Sequence, residues 1–250
     1  NIPSGLVQHK YNASGNYTVK VTAKSSSGAA ISKSIDITVT VAMKLVWSDE
    51  FDTPGAPNSN KWGYDIGASG WGNNESQYYT DRRDNSYVTD GTLKIVAKKE
   101  AFSSSQYTSA RLLSKGKYSF KYGKVEVRAK LPVGVGTWPA IWMLGDNIST
   151  VSWPACGEID IMEHVGRDLN KIISAFHYPV YFGGNAKVAT TMVPTATTEF
   201  HVYKLEWTPV SMQIFVDDKL FHTLPNSPSI PYNQNFFMIL NIAMGGTLGG

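Results

Sequence analysis

Period-two alternation of apolar and polar residues is the feature that most constrains the fold of this chain. In residues 125–131, Val, Ala and Leu alternate with Glu, Arg and Lys, which predicts a strand with one buried and one solvated face. Similar short runs occur at residues 93–97, 200–207, 212–216 and 236–243, whereas helical spacing is not sustained anywhere. Many short strands separated by Gly, Pro and Asn turns indicate an all-β sandwich or jelly roll.

The first 42 residues are a separate β-rich segment. Residues 17–22 and 35–41 alternate with period two, and Ser25–Gly28 supplies a turn between them. The string from Tyr11 to Thr22 resembles the C-terminal half of a PKD-type immunoglobulin-like module. That sandwich class has about seven strands in ~100 residues, so we expect the N-terminal part of the module to be absent. We therefore expect two domains, residues 1–42 and 43–250.

Composition and charge exclude several classes of partner. The net charge is only +3 and no stretch gathers many basic residues, so neither nucleic acid nor an anionic membrane is an expected partner. No apolar run approaches the ~18 residues that span a bilayer. The chain has 7 Trp, 13 Tyr and 10 Phe, a balance typical of extracellular β-proteins and sugar binders. We expect a secreted monomer whose signal peptide lies outside this sequence.

Three acids in the segment Glu158-Ile-Asp-Ile-Met-Glu163 are the strongest candidates for catalysis. In a regular strand Glu158 and Asp160 share a face, whereas Glu163 points the opposite way. A β-bulge between Asp160 and Glu163 would turn Glu163 back to the shared face. Carboxylates so close together cannot all ionise easily, so at least one pKa should rise, as a general acid requires. The alternative is a solvated strand face, but the intervening Ile and Met residues indicate a half-buried strand.

Two tryptophans precede the acids on one predicted strand. Trp138 and Trp142 share a face with Ala140 and Leu144. An exposed indole can stack on a pyranose while its N–H reaches a sugar hydroxyl, and core packing is the alternative for each ring. Residues 71–79 form either a loop whose amide and phenol groups bind sugar hydroxyls or an ordinary Asn-rich turn.

Other chemistries lack their sequence signatures. The five histidines have no zinc-binding spacing. Neither Gly-x-Ser-x-Gly nor the phosphate-binding Gly-x-x-x-x-Gly-Lys occurs. Cys156, the single cysteine, adjoins the acids, where a thiolate is disfavoured, so we interpret it as a small packing residue. A metalloenzyme, a serine hydrolase and a nucleotide-binding enzyme are therefore not expected.

From Leu45 onward the sequence resembles glycoside hydrolase family 16, specifically bacterial laminarinases, the endo-1,3-β-glucanases. The motifs that carry the resemblance are Val46-Trp-Ser-Asp-Glu-Phe51, Trp71-Gly-Asn-Asn-Glu75, Tyr122-Gly-Lys-Val-Glu-Val-Arg-Ala-Lys-Leu-Pro132, Gly136-Thr-Trp-Pro-Ala-Ile-Trp-Met143, Trp153-Pro-Ala-Cys-Gly-Glu-Ile-Asp-Ile-Met-Glu-His164 and Leu240-Asn-Ile-Ala-Met-Gly-Gly246. The resemblance implies a jelly roll of two curved antiparallel sheets with the sugar in a concave cleft. It also implies an endo-acting enzyme that hydrolyses β-1,3-glucan, such as laminarin, with retention.

Carried over to this sequence, the resemblance implies Glu158 as nucleophile, Glu163 as acid/base and Asp160 as the residue that tunes the pair. Glu163 would protonate the leaving glycosidic oxygen while Glu158 attacks C1, and would then activate the water that frees the glycosyl-enzyme. Retention requires carboxyls about 5–5.5 Å apart, against roughly 6.5–9.5 Å for inversion. This chemistry requires no cofactor. The implied substrate-binding residues are Trp138, Trp142, Asn74, Arg111 and His177, with the tryptophans lining the glycone side of the cleft.

The resemblance also implies one structural calcium ion. Glu50 and Gly91 match two of its ligand positions in the family. The family's usual last strand, which carries a third ligand, is absent from a sequence that ends at Gly250. We therefore expect a catalytic domain that lacks this strand and has a neighbouring strand edge unpaired.

Two rival functions follow from the same resemblance. Relatives of this fold that have lost the acids bind β-glucan without cleaving it, whereas all three acids are present here. Enzymes with the same fold act on mixed-linkage glucan, agarose or carrageenan, or transfer the glycosyl group to another sugar. The bulged spacing and the Trp-Pro-x-Cys-Gly segment resemble laminarinases, since the lichenase type lacks the extra residue.

Overall fold

The computed structural model describes residues 9–11, 15–39 and 43–250. The chain divides into two compact units, of which the first ends at Asp49 and the second spans Glu50–Gly250. Within the three described ranges, no helix is long and apolar enough to cross a membrane.

The first unit contains an antiparallel hairpin. Strands β1 (Gly15–Lys24) and β2 (Ala30–Val39) pair along their whole length. Gly28 takes a φ of +88°, which only glycine adopts at little cost, and donates its N–H to Ser25 O over 3.0 Å. The predicted turn and the two strands that flank it are therefore confirmed.

The PKD-like module itself stays a prediction. Residues 12–14 of the string that carries this resemblance lie outside the described residues, as do residues 40 and 41 of the predicted second strand. The apolar side chains of Val21, Ile31 and Ile35 on the hairpin are exposed.

The second unit consists of short strands and tight turns. In chain order the strands are β3 (Gly63–Asp65), β4 (Gln77–Tyr79), β5 (Ser86–Thr89), β6 (Thr92–Ile95), β7 (Lys98–Phe102), β8 (Ser105–Ser109), β9 (Arg111–Leu113), β10 (Gly123–Ala129), β11 (Thr137–Gly145), β12 (Glu158–His164), β13 (Lys171–His177), β14 (Lys187–Met192), β15 (His201–Trp207), β16 (Ser211–Val216), β17 (Lys219–Pro225) and β18 (Phe236–Met244). One-turn helices occur at α1 (Ile148–Val151) and α2 (Gly246–Gly249), and 3₁₀ turns at Gly70–Gly72 and Gly183–Asn185. Each run that the sequence predicts as a strand overlaps a strand, so the all-β class is confirmed.

Two antiparallel sheets form the body of this unit. Their strand orders are β14-β13-β12-β11-β18-β9-β3 and β10-β15-β16-β17. The sheets pack face to face through large side chains: the ring of Phe176 on β13 lies 4.7 Å from His222 on β17, and Trp207 on β15 lies 5.3 Å from Phe236 on β18. Each large apolar side chain buried in this way contributes roughly 1.5–3 kcal/mol. The resulting sandwich agrees with the expected jelly roll.

The other face of the seven-stranded sheet carries the candidate site. Side chains alternate along a strand, so His177 projects away from the core that its neighbour Phe176 enters. We call this surface the open face. Trp142 pairs with Asp160 on one side and with Ile239 on the other. The register thus places aromatic and acidic side chains side by side on one surface.

Candidate active site

A β-bulge interrupts β12 between Asp160 and Glu163. Asp160 pairs with Ala175 on β13 and Glu163 pairs with Ile173, so three steps along β12 match two steps along β13. Glu163 therefore projects to the open face, where its carboxylate accepts a 3.0 Å hydrogen bond from Trp138 Nε1. The bulge predicted from the acid spacing is confirmed.

Burial raises the pKa of all three acids. The pKa of Glu158 lies well above its ordinary value because burial disfavours the charged form and the Asp160 charge repels it. Burial and then the Glu163 charge also hold the pKa of Asp160 well above its usual range. Burial raises the pKa of Glu163, which the Trp138 hydrogen bond opposes. The cluster therefore retains protons at a pH where exposed carboxyls would have lost them.

His177 lies against the acids at the end of β13. Its Nε2 is 3.1 Å from Asp160 Oδ2 and 3.7 Å from Glu158 Oε1. The contact with Asp160 is short, but its angles do not meet those of a hydrogen bond. Asp160 Oδ2 therefore has no hydrogen-bond partner. On the opposite side of the ring, Gly183 N donates to Nδ1 over 3.1 Å. The imidazole expected to hold a sugar hydroxyl is thus directed at the carboxylates.

The two predicted tryptophans both lie on the open face and are half-buried. Trp138 Nε1 donates to Glu163, and Trp142 Nε1 donates to Asn241 Oδ1 over 2.7 Å. Each indole N–H therefore has a protein acceptor in this conformation, and its contact with a sugar hydroxyl stays a prediction. The ring faces remain as the part of each side chain that can stack on a pyranose.

Arg111 lies on β9 between two aromatic rings. Its guanidinium carbon is 4.6 Å from the ring centroid of Trp142 and 5.0 Å from that of Trp71. Its Nε is 3.0 Å from Asp65 Oδ2. Arg111 therefore lies beside Trp142, and its role in binding sugar hydroxyls stays a prediction. Arg111 also borders a pocket of about 170 Å³, which is lined by Asp65, Arg111, Leu113, Lys115, Leu144, Ile148, Phe237 and Ile239.

Asn74 is exposed and takes a φ of +56° in the turn that follows Trp71. It is not brought against the acids by any contact in the described part of the chain. The region expected to be a loop from 71 to 79 is a loop only in its first half, since Gln77–Tyr79 is strand β4. Pairing with β8 makes residues 77–79 a strand, whereas Asn73 and Asn74 remain in a turn.

A buried polar network beside Trp142 was not predicted from the sequence. Asn241 Nδ2 donates to Tyr79 Oη over 2.9 Å, and Tyr79 donates to Glu75 Oε2 over 3.2 Å. Gln77 Nε2 also donates to Glu75 Oε2, over 2.6 Å. Asn241 is a single amide in the otherwise apolar strand β18. Because buried amides need hydrogen-bond partners, this residue could have indicated a buried polar network.

Cys156 is fully buried beside the site. Burial, and then the Glu158 charge, raise its pKa to about 11. The thiol is therefore uncharged at neutral pH, which confirms its interpretation as a packing residue.

The residues predicted to bind calcium are Glu50 and Gly91. Glu50 and Gly91 are both exposed, and Glu50 belongs to no group of three acidic, histidine or cysteine side chains in the described ranges. Calcium takes six to eight oxygen ligands, so these two residues do not fit the ion by themselves. The one such group among the described residues is Glu158, Asp160 and His177 in the candidate site itself. Calcium stays a prediction.

Comparison with known proteins identifies the family. The family described as Glycosyl hydrolases family 16 matches residues 73–249. The chain belongs to glycosyl hydrolase family 16. A β-glucanase from Rhodothermus marinus is 48% identical over 221 residues, which cover 83% of this chain and 77% of that protein.

Solved structures of this family have the same fold. The laminarinase from Rhodothermus marinus superposes with a TM-score of 0.80 at 48% identity, covering 83% of this chain and 88% of that one. A LamA variant from Zobellia galactanivorans, solved with laminaritriose and laminaritetraose, gives a TM-score of 0.74 at 48% identity and covers 82% of this chain and 90% of that one.

Proposed function

We propose that the second unit is an endo-acting β-1,3-glucanase that hydrolyses laminarin with retention by double displacement. The observation that carries this proposal is the bulge in β12, which directs Glu158, Asp160 and Glu163 to one face beside two tryptophan rings. Membership of family 16 and close relatives that are laminarinases support the same activity.

The chemistry follows from two glutamates in two steps. Glu163, whose pKa is raised by burial, gives its proton to the glycosidic oxygen while the Glu158 carboxylate attacks C1 and the C1–O bond breaks. A water molecule then attacks C1 of the glycosyl-enzyme and loses a proton to Glu163, and Glu158 leaves as a carboxylate. Asp160 lies between the two glutamates in the motif, and its charge alters how readily Glu158 and Glu163 ionise.

The roles of the two glutamates rest on their order in the motif. Burial raises the pKa of both, so the direction of the shift does not by itself tell the acid from the nucleophile. Trp138 Nε1 binds the Glu163 carboxylate, and this contact orients the group that we assign as the acid/base.

Substituting the nucleophile tests the assignment. We expect Glu158→Ser to abolish release of reducing sugars from laminarin while laminaritetraose binding, measured by calorimetry, stays within about tenfold of the unchanged chain. Undiminished turnover would refute Glu158 as the nucleophile. A wild-type chain that binds laminaritetraose but releases no reducing sugar would instead support the noncatalytic glucan-binding alternative.

Substrate preference is tested by product profiling. Laminarin, mixed-linkage glucan, agarose and carrageenan are incubated separately with the chain, and the released oligosaccharides are separated by chromatography. We expect laminarin to be cleaved fastest and at internal bonds. Faster release from agarose or carrageenan would overturn the β-1,3-glucan assignment, and products longer than the substrate would indicate transglycosylation.

The location, oligomeric state and N-terminal segment of the enzyme are also part of the proposed function. A polysaccharide substrate does not enter cells, so we propose that the enzyme is extracellular. We also propose that it acts as a monomer. We also propose that residues 1–42 are the C-terminal part of a PKD-like module. Sedimentation of the purified chain tests the monomer, and calorimetric titration with Ca²⁺ tests the structural ion.

A further inference from the structure

A hydrogen-bond chain of fixed direction begins at Trp142. An indole N–H can only donate, so the Asn241 atom that lies 2.7 Å from Trp142 Nε1 must be the amide oxygen. Asn241 Nδ2 then donates to Tyr79 Oη over 2.9 Å, and the Tyr79 hydroxyl donates to Glu75 Oε2 over 3.2 Å. Each bond therefore sets the direction of the next, and the chain ends at a carboxylate.

The two middle members of this chain are buried. Tyr79 and Asn241 lie inside the second unit, whereas Trp142 and Glu75 are half-buried. Burial, and then the Glu75 charge, hold the pKa of Tyr79 well above its usual range, so its hydroxyl keeps the hydrogen that the last bond needs. A partner lost inside the chain would leave a buried polar group unpaired.

Glu75 is suited to end the chain because it accepts from three side chains. Its Oε2 also accepts from Gln77 Nε2 over 2.6 Å, and its Oε1 accepts from Asn73 Nδ2 over 3.3 Å. Met244 N donates to Gln77 Oε1 over 2.7 Å, which turns the Gln77 amide nitrogen toward Glu75. A carboxylate only accepts, whereas an amide in the same place would set an NH₂ group against one of the donors.

The Trp142 ring is also held on one face. The Arg111 guanidinium carbon lies 4.6 Å from its centroid, and Arg111 Nε lies 3.0 Å from Asp65 Oδ2. Trp142 pairs with Asp160 across β11 and β12, so the ring stands beside the acids. The direction of the ring surface that can stack on a pyranose therefore depends on the N–H bond at its edge.

We propose that Glu75 is a positioning residue that acts through Tyr79 and Asn241 to hold the Trp142 ring at the angle needed for stacking on a pyranose. This inference rests on the proposed glucanase activity, and it assigns Glu75 no contact with the sugar. A stacking ring binds the ground state and the transition state alike, so its displacement raises KM more than it lowers kcat.

Two substitutions and their combination test the chain. Glu75→Gln keeps the size of the side chain but replaces an acceptor by a donor, and Tyr79→Phe removes only the hydroxyl that links Glu75 to Asn241. We expect each to weaken laminaritetraose binding about tenfold and to raise KM on laminarin by a similar factor, with kcat within about threefold. The double variant should bind no more weakly than the weaker single variant, since both substitutions break the same chain.

Tyr64→Phe is the matched control. The Tyr64 hydroxyl lies 2.8 Å from Ser86 Oγ and is not a member of this chain, so its loss should leave KM unchanged. Additive losses of affinity in the double variant would mean that Glu75 contacts the sugar itself, and would overturn the proposal. A fall in kcat at constant KM would also overturn it.

The coupling can be followed without turnover. The indole N–H resonance of Trp142, assigned from its loss in Trp142→Phe, should shift in ¹H–¹⁵N correlation spectra of Glu75→Gln and stay in place in Tyr64→Phe. An unmoved resonance in Glu75→Gln would overturn the proposal, and Glu75→Asp provides the same test if Glu75→Gln does not fold. If the chain does not cleave laminarin, the glucanase assignment fails while this spectrum still reports whether Glu75 and Trp142 are coupled.

Discussion

Asp160 combines a place among the proposed catalytic acids with a cost to the folded state. Its side chain is 5% exposed, and its Oδ2 has no hydrogen-bond partner. A buried carboxylate without full compensation disfavours folding when it is charged. The same burial raises the pKa values in the cluster and so keeps a proton available for transfer. Stability and activity are therefore opposed at this residue.

We expect Asp160→Asn to make the fold more stable at pH 7 and to lower kcat. Burial raises the pKa of Asp160 in the folded chain, so the unfolded chain loses this proton at a lower pH and stability falls as pH rises above about 4. An increase of ~1 kcal/mol would raise Tm by about 2–4 °C, and the difference should vanish below pH ~4. Calorimetric scans of both chains from pH 3 to 8 check this. A variant less stable at pH 7 would contradict it.

Most candidate site residues could be predicted from their residue type and their neighbours in sequence. Contacts between residues far apart in sequence could not. Glu158, Asp160 and Glu163 were predictable because they are acids among apolar neighbours. The partner of Trp142 is Asn241, which is 99 residues away and is joined to it only by the pairing of β11 with β18. His177 was predicted as a site residue, whereas its position against the acids depends on the pairing of β13 with β12.

At the scale of elements, the bulge in β12 decides which way Glu163 points. On either side of it the pairing is regular, because Asp160 faces Trp142 and Glu163 faces Ala140 on β11. Removal of one residue between them would leave an unbroken strand with the same partners. Glu158, Asp160 and Glu163 would then share a face by simple alternation.

Deletion of Met162 tests this reasoning. We expect the chain to fold, at a cost of roughly 2–5 kcal/mol for the lost buried side chain, and to keep activity within about a hundredfold. Deletion of Ile159, the matched control, sets Glu158 and Asp160 on opposite faces and should abolish activity. Laminarin assays on both folded variants measure the difference. Equal inactivity would mean that the bulge itself is required.

At the scale of the molecule, His222 lies between the two sheets. Its Nδ1 is 3.0 Å from Ser174 Oγ on β13, and burial lowers its pKa to about 4. Strand runs were predictable because each shows its own alternation, but the order of seven strands was not, since pairs such as β9 with β18 join residues far apart in sequence. His222 gave no signal of its interior position, as its neighbours are mixed in polarity.

We expect acid to destabilise the sandwich through His222. The unfolded chain takes up this proton near pH 6.5 and the folded chain only near pH 4, so stability is full above pH ~6.5 and falls by up to ~3 kcal/mol as pH drops toward 4. Urea unfolding at pH 7 and pH 4.5 should show a smaller loss for His222→Gln than for the unchanged chain. An identical loss of stability in His222→Gln and in the unchanged chain would contradict this prediction. The effect of Asp160 on stability has the opposite sign, and the Asp160→Asn variant separates it from that of His222.

The single sulfhydryl of this protein precedes Glu158 by two positions, is sealed from solvent and is protonated at neutral pH. Alkylating reagents can therefore reach it only when its packing against Leu144 and Phe237 opens. The rate of maleimide incorporation would report how often the core opens in solution just before β12, with no engineered label and no competing cysteine in the chain.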